Sequence, residues 1–337
     1  MHYLENIDLR IIIIFIIILV LSFFINKISK LLNLYDIPKS ERKIHKNPIS
    51  IINGFLILVT LNIYFFSDYF IFKEFNLRFN IIIIILINIF YILGYFDDIK
   101  DLSPKTKTFL ILFILLIIIP FDQNLVLKTL IFKNLIGKEI YLNQSSIFIT
   151  IFFIYIFYNF LNFIDGLNGV AISVALFFIV VLSIERGIFL NLEILIILTL
   201  ILCLILNLKN KSFLGNSGIS TLSLLISIFY IREYNLNQTL LCDEIFLIFL
   251  IPGIDMTRLV FSRIMTGKSI SDADLNHLHH YFLNIIDRKF VFIFYLVTAS
   301  IPYFISKLLE NYILSIFISL IMYLSILTFL KRMPKKI

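Results

Sequence analysis

Two adjacent carboxylates, Asp97 and Asp98, follow directly on the apolar run IIIIILINIFYIL, in the stretch GYFDDIKDLSPKTK. Neighbouring negative charges repel and neither side chain is stable in hydrocarbon, so the pair indicates a polar surface where an apolar segment ends. Paired carboxylates can ligate a hard cation such as Mg²⁺ or accept a proton. In an ordinary exposed loop the same pair would carry no particular function.

The stretch NFLNFIDGLNGVA places polar residues at intervals of three, at Asn159, Asn162 and Asp165. On a helix this spacing puts the three side chains on one side, and such groups at a membrane are costly without a partner. Gly166 and Gly169 allow the backbone to turn closely around a ligand. A structural turn would explain the glycines but not the polar residues, so the stretch favours a functional site.

Two further stretches could bind anions. In FLGNSGIS, Asn216 and Ser217 open an apolar run, where the free backbone N–H groups of a helix N-terminus attract an anion; an ordinary N-cap is an equally good explanation. In IPKSERKIHKNPISIING, the cations Arg42, Lys43 and His45 suit a phosphate. A lone basic loop at a membrane more often reflects topology and lipid contact.

Histidines are concentrated in one loop, where His277, His279 and His280 account for three of the five in the chain. No cysteine accompanies them and they contain no i, i+4 pair, which argues against a transition-metal site. Their basic neighbours Arg258 and Arg263 favour an anionic, phosphate-rich ligand instead. The combination of these stretches fits a nucleotide diphosphate with Mg²⁺ meeting a molecule delivered from the lipid.

The elements that position these groups are apolar helices. The 337 residues are 60% hydrophobic and 15% charged, against about 25% charged in soluble domains, and the mean hydropathy is +0.99. We therefore predict a single-domain, all-α polytopic membrane protein spanning 1–337, whose first apolar run is a retained span rather than a cleaved signal. Ten to eleven spans are expected, near 9–26, 49–71, 79–96, 107–121, 146–163, 169–184, 188–207, 217–231, 240–262, 290–306 and 312–330.

The basic residues predict the orientation of these spans. Most of the 29 lysines and arginines fall in loops on one side, which places the N-terminus outside and the C-terminus inside. All the polar stretches above lie on that inner side. On the outer side we expect only a small β-hairpin within 122–146, where apolar and polar residues alternate. Cys203 and Cys242 lie in or beside apolar runs and indicate no disulfide framework.

The chain resembles the polyprenyl-phosphate N-acetylhexosamine-1-phosphate transferases, of glycosyltransferase family 4 type. Five stretches carry the resemblance in the same order over roughly residues 35 to 285: KSERKIHKNPISIING, GYFDDIKDLSPKTK, NFLNFIDGLNGVA, FLGNSG and HLHHYF. The HLHH form is more similar to the GlcNAc-1-phosphate branch than to the muramoyl-pentapeptide branch, which typically has three consecutive histidines.

The resemblance implies an activity. UDP-N-acetylhexosamine would bind with Mg²⁺, or Mn²⁺ as the alternative, and polyprenyl (undecaprenyl) phosphate would attack the sugar-linked phosphorus. The products would be polyprenyl-diphospho-sugar and UMP, at the start of cell-wall or surface-polysaccharide synthesis. The resemblance also implies the bacterial plasma membrane, with the active site on the cytoplasmic face. No nucleic-acid partner is expected, and a homodimer is left open.

The resemblance also implies residue roles. Asp97, Asp98 and Asp165 would be catalytic, with Asp97 either the base for the lipid phosphate or a neighbour of the metal. The implied metal ligands are Asp97, Asp98 and Asn216. The remaining implied contacts to nucleotide, sugar or phosphate are Arg42, Lys43, His45, Asn159, Asn162, Asn168, His277, His279 and His280.

The chain departs from the family pattern at Asn168 and Asn216, where the family usually has aspartate. Leu275 and Tyr281 stand where basic residues are frequent. Because an amide brings no charge, Mg²⁺ affinity should fall. This keeps a second interpretation open, a family member that binds lipid phosphate or nucleotide sugar with weak or no turnover. A transporter or channel is disfavoured because the predicted span interiors carry few charges.

Overall fold

The computed structural model describes residues 8–36, 48–133, 139–270 and 275–334. These residues form fourteen α-helices and two two-stranded sheets. In chain order the elements are α1 (Leu9–Phe23), α2 (Ile25–Leu32), β1 (Tyr35–Asp36), β2 (Ile49–Ser50), α3 (Ile52–Ser67), α4 (Leu77–Lys100), α5 (Pro104–Ile118), β3 (Thr129–Ile131), β4 (Glu139–Tyr141), α6 (Ser146–Ile164), α7 (Val170–Arg186), α8 (Asn191–Leu208), α9 (Gly215–Leu236), α10 (Cys242–Ile248), α11 (Leu250–Met265), α12 (Leu278–Phe282), α13 (Val291–Leu309) and α14 (Tyr312–Arg332).

The chain is an all-α, multi-pass membrane protein, as predicted. Every apolar run named above is helical, but two runs are broken by sharp bends, of 78° between α1 and α2 and of 70° between α10 and α11. Among the described residues, seven helices are long and apolar enough to cross a membrane, or up to nine if each bent pair is one span. This number is lower than the ten to eleven spans expected, because α7 and α9 are not both long and apolar enough to be counted.

The helices run alternately in opposite directions, so their ends collect in two regions. At one end, which we call the site end, Asp98 contacts the start of α9, and the backbone N–H of Phe213 donates to the carbonyl of Ser50 over 2.7 Å. At the opposite end, Arg10 of α1 contacts Tyr64 of α3. The polar stretches singled out from the sequence, where the structure describes them, are at the site end.

Helix α9 is the central element and packs against α3, α4 and α6. Most of its residues are buried, and several of these are small, including Ser217, Gly218 and Ser220. Gly94 brings α4 close to it, because a Cβ at Gly94 would lie 2.5 Å from the carbonyl oxygen of Asn216. Small residues permit this close backbone approach in membrane helices, and it fixes the C-terminal end of α4 beside the start of α9.

The predicted hairpin is confirmed as β3 and β4, which pair antiparallel with Leu130 opposite Ile140. It lies at the opposite end, where the backbone N–H of Ile131 donates to the Tyr234 hydroxyl over 2.7 Å. The second sheet, β1 with β2, was not predicted. It pairs Asp36 with Ile49, and so brings together the described residues that flank the basic stretch.

The prediction that polar clusters lie on one side only is wrong. The opposite end carries a dense ion-pair network. Arg10 pairs with Glu74 and Asp68, and Arg186 pairs with Glu193 and Glu233. These residues are far apart in sequence, so each looks like an isolated charge until the fold brings them together.

Candidate functional site

Asp98 is fixed at the start of α9. Its two carboxylate oxygens accept hydrogen bonds from the backbone N–H groups of Asn216, over 2.7 Å, and Ser217, over 3.0 Å. A carboxylate in this position satisfies free donors and interacts favourably with the positive end of the helix dipole. The helix N-terminus that the sequence offered as an anion site is therefore capped by the protein's own carboxylate.

Asp97 points to a different helix. The residue is only 7% exposed. Its carboxylate accepts a hydrogen bond from Lys107 Nζ over 2.6 Å and one from the backbone N–H of Leu102 over 3.0 Å. The adjacent carboxylates thus diverge, Asp97 toward α5 and Asp98 toward α9. A shared metal site formed by both is not what this geometry favours.

Asp165 differs from Asp97 and Asp98 in having no side-chain partner among the described residues. It ends α6 and is exposed, and within the described residues its side chain accepts no hydrogen bond or ion pair. Restricted hydration among surrounding groups, with a smaller contribution from the nearby charge of Asp98, raises the pKa of Asp165 to about 7. A carboxylate held near another negative charge, and left unpaired, is suited to a cation or a proton.

The turn after Asp165 touches the histidine loop. A Cβ at Gly166 would lie 2.5 Å from Nε2 of His279 and 3.1 Å from Nε2 of His280, so only glycine allows this approach. His279 is fully buried, and burial, reinforced by His280 and His277, lowers its pKa well below the usual value. His279 is therefore a neutral imidazole packed beneath the turn. Direct substrate contact by His279 stays a prediction.

The histidine loop is anchored by Asp255, a residue that the sequence analysis missed. Its carboxylate accepts from Arg258 Nη2 and from the Tyr323 hydroxyl, each over 2.8 Å, and from the backbone N–H of Leu278 over 3.1 Å. Nδ1 of His277 lies 3.7 Å from the same carboxylate. A signal was present in the sequence, since Asp255 is a lone carboxylate in an apolar run, three residues before an arginine.

The asparagines have different surroundings. Asn159 donates to the carbonyl of Tyr155 over 2.7 Å, and Asn162 lies 3.5 Å from the Tyr158 hydroxyl, so both remain on α6 near Asp165. Asn168 donates to the carbonyl of Asn207 over 3.0 Å and to the Asn210 side chain over 2.7 Å. Asn168 therefore joins the α6–α7 turn to the end of α8, which is a structural use of its amide.

The structure brings together Asp98, Asp165, the backbone of Asn216 and the histidine loop at the site end. Arg42, Lys43 and His45 lie outside the described residues. The flanking strands β1 and β2 nevertheless belong to this end, because Ser50 contacts Ser212 at the entrance to α9. The negative charge of Asp36 also contributes to the raised pKa of Asp165.

No group of three or more His, Cys, Asp or Glu side chains in the described parts of the chain is arranged to hold a metal ion. This does not conflict with Mg²⁺ chemistry, because Mg²⁺ is commonly held by one or two carboxylates together with substrate phosphates. Asp98 and the unpaired Asp165 supply two carboxylates, and the side-chain oxygen of Asn216 is an additional neutral donor. These residues fit a cation that arrives with an anionic substrate better than one that is resident.

Comparison with known protein families gives a match over the helices that form this site. The model of the family described as Glycosyl transferase family 4 matches residues 80–233, a range that contains Asp97, Asp98, Asp165 and Asn216. No curated protein matches the chain. The family match supports the glycosyltransferase family 4 class, and hence a membrane-embedded transferase, for this chain.

Proposed function

We propose that the protein transfers a sugar-1-phosphate from UDP-N-acetylhexosamine to polyprenyl phosphate, giving polyprenyl-diphospho-sugar and UMP. The observation that carries the proposal is the carboxylate of Asp165, which is exposed, has no partner among the described residues and feels the charge of Asp98, at the membrane-helix ends where a lipid phosphate would be presented. Two anionic reactants approach each other only when their charges are neutralised. This end supplies carboxylates that can hold a metal ion and basic side chains that can bind phosphate.

In the proposed reaction an oxygen of the lipid phosphate forms a bond to the sugar-linked phosphorus. The bond from that phosphorus to the bridging oxygen breaks, and UMP leaves with the electron pair. A phosphate monoester has a second pKa near 6, so at neutral pH most of the acceptor is already the dianion. Asp97 need not remove a proton, and its ion pair with Lys107 gives it another role.

We assign Asp97 to positioning Lys107, whose ammonium group would meet the lipid phosphate. Lys107 lies at the start of α5 with its side chain 15% exposed, and Asp97 holds its ammonium group over 2.6 Å. Mg²⁺, when bound, neutralises the donor pyrophosphate and polarises its phosphorus, and Asp98, Asp165 and Asn216 would hold it. Bringing the two reactants into line contributes about 7–11 kcal/mol in well-oriented systems.

The histidine loop would contact the donor. His280 is half-buried, and His277 is 7% exposed with its Nδ1 3.7 Å from the buried carboxylate of Asp255, whereas His279 is fully buried beneath Gly166. We therefore propose that His277 and His280 face the phosphates and that His279 keeps the turn in place. Asn159 and Asn162 are proposed contacts of the nucleotide or sugar, together with Arg42, Lys43 and His45.

We place the site end on the cytoplasmic face of a bacterial plasma membrane. This orientation rests on the basic residues at the site end, among them Lys100, Lys105, Lys209 and Lys211, because cytoplasmic loops retain lysine and arginine. We propose the GlcNAc-1-phosphate branch because of the HLHH sequence. Within that branch, this chain differs from the usual family pattern by having asparagine rather than aspartate at Asn168 and Asn216.

Release of UMP from a panel of UDP-sugars by the purified protein, with polyprenyl phosphate and Mg²⁺, tests the proposal. UDP-N-acetylhexosamines should release UMP and UDP-hexoses without the acetamido group should not. No UMP from any donor, in a preparation that unfolds cooperatively, would contradict the proposed activity.

A second candidate is a family member that binds the substrates and turns over weakly or not at all. The amide at Asn216, which offers no charge to a cation, favours it. The Asn216→Asp variant distinguishes the two candidates. If the parent is silent and this variant releases UMP, the second candidate is correct; if both are active, with the variant needing less Mg²⁺, the first is correct.

A further inference from the structure

A cavity of about 440 Å³ lies at the opposite end, away from the candidate site. It is bounded by the connection between α3 and α4, the connection between α7 and α8, and the last turns of α9. Its volume is in the range of sites that hold small molecules, about 300–1,000 Å³. Nothing in the proposed transfer reaction uses it.

The carboxylates that line this cavity already have partners. Glu74 accepts from Arg10 and from the Asn191 side chain, over 2.6 and 3.0 Å. Glu193 and Glu233 each accept from Arg186 over 2.6 Å. The negative charges of the lining are therefore neutralised within the protein, and the cavity has no evident need for a cation.

Arg232 also lines the cavity, and it is different. In the described residues its guanidinium group makes no hydrogen bond or ion pair, and its Nε is buried. The group lies over the rings of Phe79 and Phe75, 4.6 and 4.9 Å from their centroids. The negative charge of Asp122 favours the protonated form of Arg232, but the two side chains form no ion pair. Buried donors are normally satisfied, so the buried Nε–H group indicates a missing acceptor.

Most of the remaining lining of the cavity is apolar and includes Ile188, Phe189, Leu192, Phe229 and Leu236, alongside Asn191 and Asn237. A planar guanidinium group binds an oxyanion through two parallel hydrogen bonds, and the apolar walls suit a hydrocarbon portion. The cavity also lies at the ends of helices that cross the membrane, the depth at which lipid headgroups present phosphate.

We propose that this cavity binds the phosphate group of an amphiphilic molecule, a membrane phospholipid, with Arg232 as the anion-binding residue. The bound phosphate would accept from the guanidinium group, and the glycerol backbone and first methylenes would pack on Phe229 and Leu236. The site is separate from the one proposed for polyprenyl phosphate, which lies at the other ends of the same helices.

The test is binding of dioctanoyl phosphatidic acid to the purified, detergent-solubilised protein, measured by native mass spectrometry as a titration. Dioctanoylglycerol, which has the same chains and no phosphate, is the ligand control. Arg232→Gln should weaken binding about tenfold or more, since hydrogen bonds to charged groups are among the stronger ones. Arg78→Gln, which removes an exposed arginine at the same end, should bind as the parent does.

The site end could also hold a phosphate lipid, so the signal is the bound lipid that Arg232→Gln removes and Arg78→Gln does not. Ile188→Trp fills the cavity while keeping Arg232, and it should cause a similar loss of lipid binding. This variant tests the proposal independently if Arg232→Gln impairs folding. Equal binding by the parent, Arg232→Gln and Ile188→Trp would overturn the proposal. It would also be overturned if dioctanoylglycerol bound as tightly, or if inorganic phosphate displaced the lipid at equal concentration.

Discussion

The two ends of the helix bundle use charged residues in opposite ways. At the opposite end, Arg10 and Arg186 are enclosed by carboxylates that the fold supplies, and Asp68 accepts from the backbone N–H groups of Glu74 and Phe75 over 2.9 and 3.1 Å. At the site end, Asp98 and Asp97 are similarly held, but Asp165 is exposed and unpaired among the described residues.

This difference separates charges that hold helices together from charges that remain available to a ligand. A buried charge costs free energy unless it is paired, so the fold satisfies its charges wherever they serve only the structure. Within the described residues, Asp165 has no ion-pair partner and feels the charge of Asp98, and Arg232 lies over two phenylalanine rings with no acceptor. Both groups depart from the pairing seen at the other charged residues of the bundle, and such departures are where binding sites are expected.

The largest effect should come from Asp165→Asn. The substitution keeps the shape of the side chain and removes the free charge, so transfer activity should fall by about 100- to 1,000-fold, the range found when one preorganised electrostatic group is lost. Stability should not fall, because the carboxylate has no partner to lose in the part of the chain that the structure describes. UMP release and thermal unfolding of the same preparation measure both, and activity within threefold of the parent would contradict the role of Asp165.

The matched change at the opposite end is Asp68→Asn. Asp68 is fully buried and accepts from Asn80 Nδ2 over 2.8 Å in addition to two backbone groups, while facing Arg10 at 3.5 Å. Loss of its charge should destabilise the protein by about 2 kcal/mol, with unchanged turnover per folded molecule. A variant that unfolds at the parent temperature but loses activity would reverse the assignment of the two ends.

Asp255→Asn should have an intermediate effect. It weakens the contacts to Arg258 and to the backbone of Leu278, so the histidine loop is held less firmly and kcat/KM for the UDP-sugar should fall about tenfold. The effect should fall mainly on KM, which a purely stabilising role would leave unchanged. Tyr323→Phe removes one hydrogen bond to the same carboxylate and should change KM by less than threefold.

Much of the fold followed from the sequence because hydrocarbon imposes strong constraints. Each apolar run became a helix, and alternating residues correctly predicted the hairpin of β3 and β4. The bend after Phe23 was not predicted, because neither proline nor glycine marks it. The bend at Phe249 lies within the turn before Pro252, which cannot donate to the carbonyl of Ile248 and so breaks the helix there, but the apolar run alone predicted one continuous span. The two-residue strands β1 and β2 are too short to produce a periodic pattern.

The candidate site was predicted less completely. The stretches that meet at the site end were identified from residue type and spacing, but the divergence of Asp97 and Asp98 depends on which helix each one faces. The contact of Asn168 with substrate stays a prediction, and its bonds to Asn207 and Asn210 were not predicted. The network of Arg10, Arg186 and their carboxylates was missed because its members come from distant parts of the chain.

A smaller effect is expected from pH. The raised pKa of Asp165 means that its carboxylate is protonated over a pH range where an ordinary aspartate is charged. Mg²⁺-dependent binding should therefore weaken as pH falls from 8 to 6, by less than tenfold per pH unit for one group. Without divalent ions, stability should decrease over the same range as pH rises, because the fold disfavours the charged form. Asp165→Asn should reduce both dependences.

The most direct test of the central claim is calorimetric titration of UDP-N-acetylglucosamine into the parent and Asp165→Asn, each with and without Mg²⁺. It requires no turnover, so it applies equally to a weakly active protein. We predict that the parent binds the nucleotide sugar only with Mg²⁺ and that Asp165→Asn binds at least tenfold more weakly. Equal affinity in both proteins, or binding that is indifferent to Mg²⁺, would contradict a cation-assisted phosphate site at this end.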